Sequence, residues 1–312
     1  MNVLIADKLS SEAIERLRAG GVKVDDRSGI DPDELLKVIP EVQGLIVRSR
    51  TKVTAPLLAA ATQLKVVGRA GVGVDNVDLA AAAAHGVVVV NTPVSTSVAV
   101  AELTFALMLA LIRDLSRADA AMKQGLWLKK ELEGGELAGK TLGIIGVGNI
   151  GAQVARRAAA FDMQVLGYDP LLDNKTLQAR GAAPVSLDEL YARADLITLH
   201  LPLLPATRGL LDQHAFDKMK RGVYVVCAAR GGVIAEGDLL AALNSGQVAG
   251  AALDVFEKEP PGLSPLVTHP RVVATPHIGA QTAEAQRRAA VDVAEEVLNA
   301  LQGKPLRWQV KQ

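Results

Sequence analysis

Cys227 is the only cysteine in the 312-residue chain. That excludes a disulfide framework and any cysteine-rich zinc site, and no metal is expected. Aromatic residues make up 3% of the sequence, too few for the stacking platforms of single-strand binders. No charge excess exists either: 34 Lys and Arg stand against 34 Asp and Glu. Neither nucleic acid nor an anionic membrane is therefore an expected partner. The longest stretch without Asp, Glu, Lys or Arg, Leu79 to Ala101, is interrupted by His85, Gly86, Asn91 and Pro93, unlike a spanning helix. The opening MNVLIADKLS has no basic region, apolar core or small-residue cleavage site, so a secretory signal is not expected. A soluble, cytoplasmic protein is expected.

What the chain has is length and a repeating pattern. A single core stops growing near 250–300 residues, so this length suggests two domains. Short apolar runs at Val3–Ala6, Val22–Val24, Leu45–Val47, Lys65–Gly68 and Val87–Val90 read as strands covered on both faces. A second series runs Thr141–Ile145, Gln164–Tyr168, Leu196–His200, Val223–Val226, Val248–Leu253 and Val272–Ala274. Helical patterns fall between them, one opened by Asp31-Pro32-Asp33-Glu34 and another by a Ser186/Glu189 capping box. Strand–helix alternation means an α/β protein with a parallel sheet. Turn residues at Asn91-Thr92-Pro93 mark a first boundary. A long helical segment is expected from about Ser95 to Lys130, nearly all apolar between Val98 and Ile112 and therefore buried or partnered.

The strongest local motif is Gly146-Val147-Gly148-Asn149-Ile150-Gly151, which follows a strand and opens a helix. Asp169 ends the next strand, 18 residues after Gly151. That context makes a dinucleotide fingerprint of what would otherwise be a glycine-rich turn. Gly146 allows the tight turn, Gly148 lets backbone approach a pyrophosphate, and Gly151 lets helix and strand pack closely. The helix N-terminus offers free N–H groups to the phosphates. Asp169 would accept from the ribose hydroxyls and repel a 2′-phosphate, and Pro170-Leu171-Leu172 supplies no arginine. NAD is the expected cofactor rather than NADP.

Hydride transfer from an alcohol needs a base and a cation that orients the substrate. Of five histidines, His85 has the place of a helix C-terminus, while His214 and His269 lie in polar surroundings. His200 and His277 each follow a strand, where open α/β sheets bind ligands; spacing does not choose between them. Arg230 precedes Gly231-Gly232, where backbone could approach a ligand, or it is a surface arginine before a flexible turn. Glu259 lies in Glu257-Lys258-Glu259-Pro260, which a solvated charge run would also explain.

The combination of Ala229-Arg230-Gly231-Gly232, Leu253 through Pro260, and Pro276-His277-Ile278-Gly279-Ala280, all after the Gly146 fingerprint, resembles the D-2-hydroxyacid dehydrogenase family. Leu45-Ile46-Val47-Arg48, Gly68 through Asp78, and Asn91-Thr92-Pro93 are similar to the branch that acts on a phosphorylated 2-hydroxy acid. The resemblance covers nearly the whole chain and implies His277 as acid/base, Glu259 as its partner and Arg230 as the substrate-orienting cation. It implies two Rossmann-like, doubly wound domains: a discontinuous outer substrate domain at 1–93 and 282–312, and an NAD-binding domain at 94–281. It also implies a homodimer or higher homo-oligomer built around the segment after residue 95, across which Arg113 would reach the substrate.

In that frame the cofactor would be met by Asn149 and Ile150 beside the glycines, and by Leu201, Ala228, Ala229 and Asp254 at later strand ends. Gly279, Ala280 and Val72, with Arg230 and His277, complete the implied cofactor set. Arg48, Arg69, Gly71, Val72 and Gly73 would join Arg230 and His277 at the substrate. Glyoxylate or hydroxypyruvate reduction would need the carboxylate site alone, and the fold also serves an NADH-sensing corepressor. Cys227 stands where the family commonly has asparagine, and Asn149 where arginine or lysine is frequent. Leu201 and Val72 take places where relatives offer a hydroxyl. The sequence ends at Gln312, so serine feedback through a C-terminal regulatory domain is not expected.

Overall fold

The computed structural model describes residues 1–311; Gln312, the last residue of the expected outer domain, lies outside the described residues. Strands and helices alternate as β1 (Asn2–Ile5), α1 (Ser11–Ala19), β2 (Lys23–Asp26), α2 (Pro32–Val38), β3 (Gly44–Val47), α3 (Ala55–Ala60), β4 (Val66–Arg69), α4 (Leu79–Ala84) and β5 (Val88–Val90). Then come α5 (Ser97–Ile112), α6 (Leu115–Lys123), β6 (Thr141–Ile145), α7 (Asn149–Ala160), β7 (Gln164–Tyr168), α8 (Asn174–Ala179), β8 (Ala183–Pro184) and α9 (Leu187–Arg193). The last are β9 (Leu196–Leu199), α10 (Gln213–Lys218), β10 (Val223–Cys227), α11 (Glu236–Ser245), β11 (Val248–Leu253), β12 (Val272–Ala274) and α12 (Ala283–Leu301). The chain divides into two compact units, Met1–Ser97 with Ala280–Gln312, and Val98–Gly279. Each is built on one parallel sheet, the expected α/β class.

The first unit has the strand order β2-β1-β3-β4-β5. Its strands send alternate residues to opposite faces. Leu4, Leu45, Val47, Val67 and Val89 enter one apolar cluster; Val3, Ile5, Ile46, Val66 and Val90 enter the other, with residues of α1 and α12. Burying each such side chain stabilises the unit by about 1.5–3 kcal/mol. Gly68 marks where α12 presses closest: a Cβ there would fall 2.5 Å from Val297 Cγ2 and 2.8 Å from Val293 Cγ2. The caps read in the sequence form as expected, with Asp31 accepting from Asp33 N–H at 2.9 Å ahead of Pro32. The C-terminal tail is pinned by Glu296. This fully buried carboxylate accepts from Arg307 Nε (2.9 Å), Arg307 N (2.9 Å) and Trp308 N (3.1 Å), so its charge is paired rather than stranded.

The second unit has the order β12-β11-β10-β9-β6-β7-β8. Strand order reverses at β6, which pairs with β7 on one side and β9 on the other. The crevice beyond the carboxyl ends of β6 and β9 is where open α/β sheets take ligands. Helix α5 is buried: Ala101, Phe105 and Met108 join Leu142, Ile144 and Val154 in one cluster. The single helical segment expected to run to about Lys130 does not form. Helix α5 stops at Ile112, Asp114 takes a left-handed φ of 52° as N-cap of α6, and α6 ends at Lys123 before Gly125. Composition favours helix throughout that stretch, but one left-handed residue redirects the chain. No helix among the described residues is long and apolar enough to cross a membrane.

Candidate active site

The glycine loop joins β6 to α7 at this reversal point. Gly146 has φ of 89°, and a Cβ on it would meet His200 O at 2.5 Å. A Cβ on Gly151 would fall 2.2 Å from Gly146 O, so only glycine lets the helix start this close to the strand. Gly148, the N-cap of α7, is different: nothing lies within 4 Å of where its Cβ would be. The loop is packed tightly on its inner side and open at its middle glycine, as close approach by a pyrophosphate requires. Asp169 Oδ2 accepts from Val147 N–H at 3.0 Å and Oδ1 from Leu171 N–H at 3.0 Å. Each carboxylate oxygen retains a further acceptor site for a ribose hydroxyl. The residues present fit NAD. Asn149 is exposed at the first turn of α7 beside half-buried Ile150, Leu201 is half-buried after β9, and Ala228 and Ala229 are buried after β10.

Three loops of the second unit carry Arg230, Glu259 and His277. His277 Nδ1 lies 2.8 Å from Glu259 Oε2, with both side chains partly exposed. Glu259 Oε1 also accepts from Phe256 N–H at 3.1 Å. The Arg230 loop meets the same segment through Gly231, whose added Cβ would lie 1.8 Å from Phe256 O. Arg230 Nη1 donates to Ala229 O at 2.7 Å. His277 has a left-handed φ of 54°, uncommon for a residue with a Cβ. The buried carboxylate of Asp254 holds that turn: Oδ1 accepts from Thr275 Oγ1 (2.6 Å) and Ile278 N–H (2.8 Å), and Oδ2 from Gly279 N–H (2.8 Å). Ala280 follows as the first residue of the other unit's second segment.

Burial separates the two strand-end histidines. His200 is half-buried, with Nε2 3.1 Å from Thr198 Oγ1 and Nδ1 itself buried without a partner. Desolvation holds it at about 3, far below the ordinary histidine value of 6.5, so it stays neutral. Cys227 is buried, and its thiol is pushed up to about 11 mainly by burial, a poor nucleophile.

In the first unit, Arg48 follows β3 on a loop organised by Asp7. That carboxylate accepts from Arg48 N–H (2.6 Å), Thr51 N–H (3.2 Å), Thr51 Oγ1 (2.9 Å) and Arg50 Nε (2.9 Å). Asn76 Nδ2 completes the brace by donating to Arg48 O (2.8 Å) and Thr51 O (2.6 Å). The Arg48 guanidinium bonds Gln281 Oε1 at 3.2 Å. Arg69, at the end of β4, lays its guanidinium across Gly71, where a Cβ would come within 1.6 Å of Nη1. The loop of Gly71, Val72 and Gly73 is tied down by Thr92 N–H to Gly71 O (2.9 Å) and Asn91 Nδ2 to Val72 O (2.7 Å). Roles for Asp7, Asn76 and Thr275 have no sequence signal: their partners are distant and their types are common at strand ends.

Residues 105–279 match the model of the D-isomer specific 2-hydroxyacid dehydrogenase NAD binding domain. The chain is 47% identical over 304 residues to D-3-phosphoglycerate dehydrogenase of Rattus norvegicus, covering 97% of this chain and 57% of that protein. It is 46% identical over 308 residues to the protein of that name from Archaeoglobus fulgidus, covering 98% and 58%. It thus spans little more than half the length of these curated relatives. Among solved structures, the TT0316 protein of Thermus thermophilus aligns over 100% of both chains at 37% identity with a TM-score of 0.88. A glyoxylate reductase from Paecilomyes thermophila aligns over 99% and 98% at 31% identity with a TM-score of 0.91. The chain belongs to the D-isomer specific 2-hydroxyacid dehydrogenases and carries their NAD-binding domain.

Proposed function

We propose that the chain is an NAD-dependent dehydrogenase that oxidises D-3-phosphoglycerate to 3-phosphohydroxypyruvate, the reaction that opens serine synthesis. The observation that carries the chemistry is the 2.8 Å contact between His277 Nδ1 and Glu259 Oε2. With Nδ1–H donated to the carboxylate, the neutral ring keeps its lone pair on Nε2, the nitrogen that would take the 2-hydroxyl proton. Glu259 fixes that tautomer and stabilises the imidazolium once the proton has moved. Arg230 would hold the substrate carboxylate by two parallel N–H bonds and polarise the forming carbonyl. NAD supplies the hydride acceptor when bound, on the Gly146–Gly151 loop with Asp169 at the ribose. Asp254 acts through His277, by keeping its turn in place.

The phosphorylated substrate is supported by the name shared by relatives 46–49% identical to this chain. Arg48 and Arg69 are the proposed cations for the phosphate, each held by its own local brace. We also propose a homodimer. Leu115 (58% exposed), Met122 (56%), Leu126 (49%) and Trp127 (75%) present apolar surface on α6 and the turn after it, more than an isolated surface helix usually shows. A reducing compartment fits the single buried thiol, and the cytoplasm is the proposed location. The test is direct. D-3-phosphoglycerate with NAD should yield NADH and 3-phosphohydroxypyruvate in equal amounts, and His277→Ala should abolish both. Absence of turnover with wild-type protein in either direction would overturn the reading.

A further inference from the structure

Val147 lies between the first two glycines of the cofactor loop, and both of its backbone polar groups are taken from outside the loop. Its N–H donates to Asp169, as described above. Its carbonyl accepts from Arg180 Nη1 at 2.6 Å, a contact across 33 residues of sequence. Arg180 is the half-buried C-cap of α8 and lies outside the glycine motif. The Val147 side chain is fully buried, so the residue is fixed at every group it has.

The peptide that follows is planar and trans, so the Val147 carbonyl and the Gly148 N–H point in opposite directions. Holding the carbonyl on Arg180 therefore sets the direction of the Gly148 N–H, away from Arg180. That amide belongs to the glycine with open space beside it, at the N-cap of α7. Gly148 has no side chain to resist rotation of this peptide; the carbonyl contact supplies the restraint. We infer that Arg180 is a positioning residue of the pyrophosphate site, presenting the Gly148 amide to the cofactor phosphates through the Val147 carbonyl. This rests on the NAD-site reading and adds to it a residue the fingerprint does not contain.

The test uses the full chain and titrates NADH, ADP and adenosine into wild type and Arg180→Ala. Each titration is run at about 0.01 M and about 1 M salt, where the screening length changes about tenfold. Arg180→Ala is expected to weaken NADH and ADP about tenfold and to leave adenosine unchanged. The ratio of wild-type to variant affinity should be the same at both salts, because the arginine works through a hydrogen bond at contact distance. Three results would overturn the assignment: unchanged NADH affinity in the variant, equal losses for adenosine, or a ratio that collapses at high salt. The last would mean that the charge itself meets the phosphate. Failure of wild type to bind NADH would instead remove the cofactor site on which the assignment stands. Melting temperatures within a few degrees would exclude general unfolding of the variant.

Discussion

Glu259 Oε2 stands 2.8 Å from His277 Nδ1, while His277 itself sits in a left-handed turn that the Asp254 carboxylate holds from below. The proposed acid/base pair and its support come from two successive strand-end loops of one sheet, Asp254 and Glu259 after β11 and His277 after β12. Replacing Glu259 by glutamine keeps an acceptor for Nδ1–H but removes the charge opposite the imidazolium. We expect kcat to fall roughly hundredfold, the lower end of the range general acid–base catalysis covers, with NADH affinity unchanged. Steady-state kinetics beside an NADH titration checks this, and an unaltered kcat would remove Glu259 from the mechanism.

Asp254→Asn sets an amide NH2 against the Gly279 N–H that the carboxylate oxygen now accepts. A buried donor facing a donor costs about 1–3 kcal/mol. The expected result is a loss of that size in denaturant unfolding, together with a kcat decrease from a displaced His277. Wild-type stability in this variant would show that the turn holds itself.

His200 predicts an acid-side weakness. Its folded value of about 3 lies below the ordinary 6.5, so the unfolded chain binds the extra proton between those two pH values. Stability is unaffected above 6.5 and falls as pH drops through that window, by about 2 kcal/mol at pH 5. His200→Gln should flatten the pH dependence of unfolding free energy by about one proton there. An unchanged slope would mean that the ring is hydrated in the folded state.

Trp127 is the test of assembly. Trp127→Glu with Met122→Glu should convert a dimer into a monomer by analytical ultracentrifugation. A wild-type monomer, or a dimer unaffected by both charges, would contradict the proposed face.

Much of this is legible in the residues alone. Apolar runs mark the strands, and the glycine spacing with Asp169 marks the cofactor loop, because both are short-range signals. Arg180 and Asp7 are not legible, since each acts on a loop more than thirty residues away and periodicity says nothing about such contacts. The break at Asp114 is hidden because the residues on either side are good helix formers. Strand-end spacing leaves His200 and His277 equivalent; in the structure the buried Nδ1 of the half-buried first and the carboxylate beside the exposed second distinguish them.

Whether the 2-hydroxy acid carries a phosphate decides the substrate. The most direct test compares kcat/KM for NADH oxidation with 3-phosphohydroxypyruvate and with unphosphorylated hydroxypyruvate, in wild type and in Arg48→Ala and Arg69→Ala. The expected result is at least a hundredfold preference for the phosphorylated acid, about 2.7 kcal/mol of transition-state discrimination, shrinking in both variants. Equal or reversed preference in wild type would contradict it, reducing the two arginines to structural charges and leaving a general 2-ketoacid reductase.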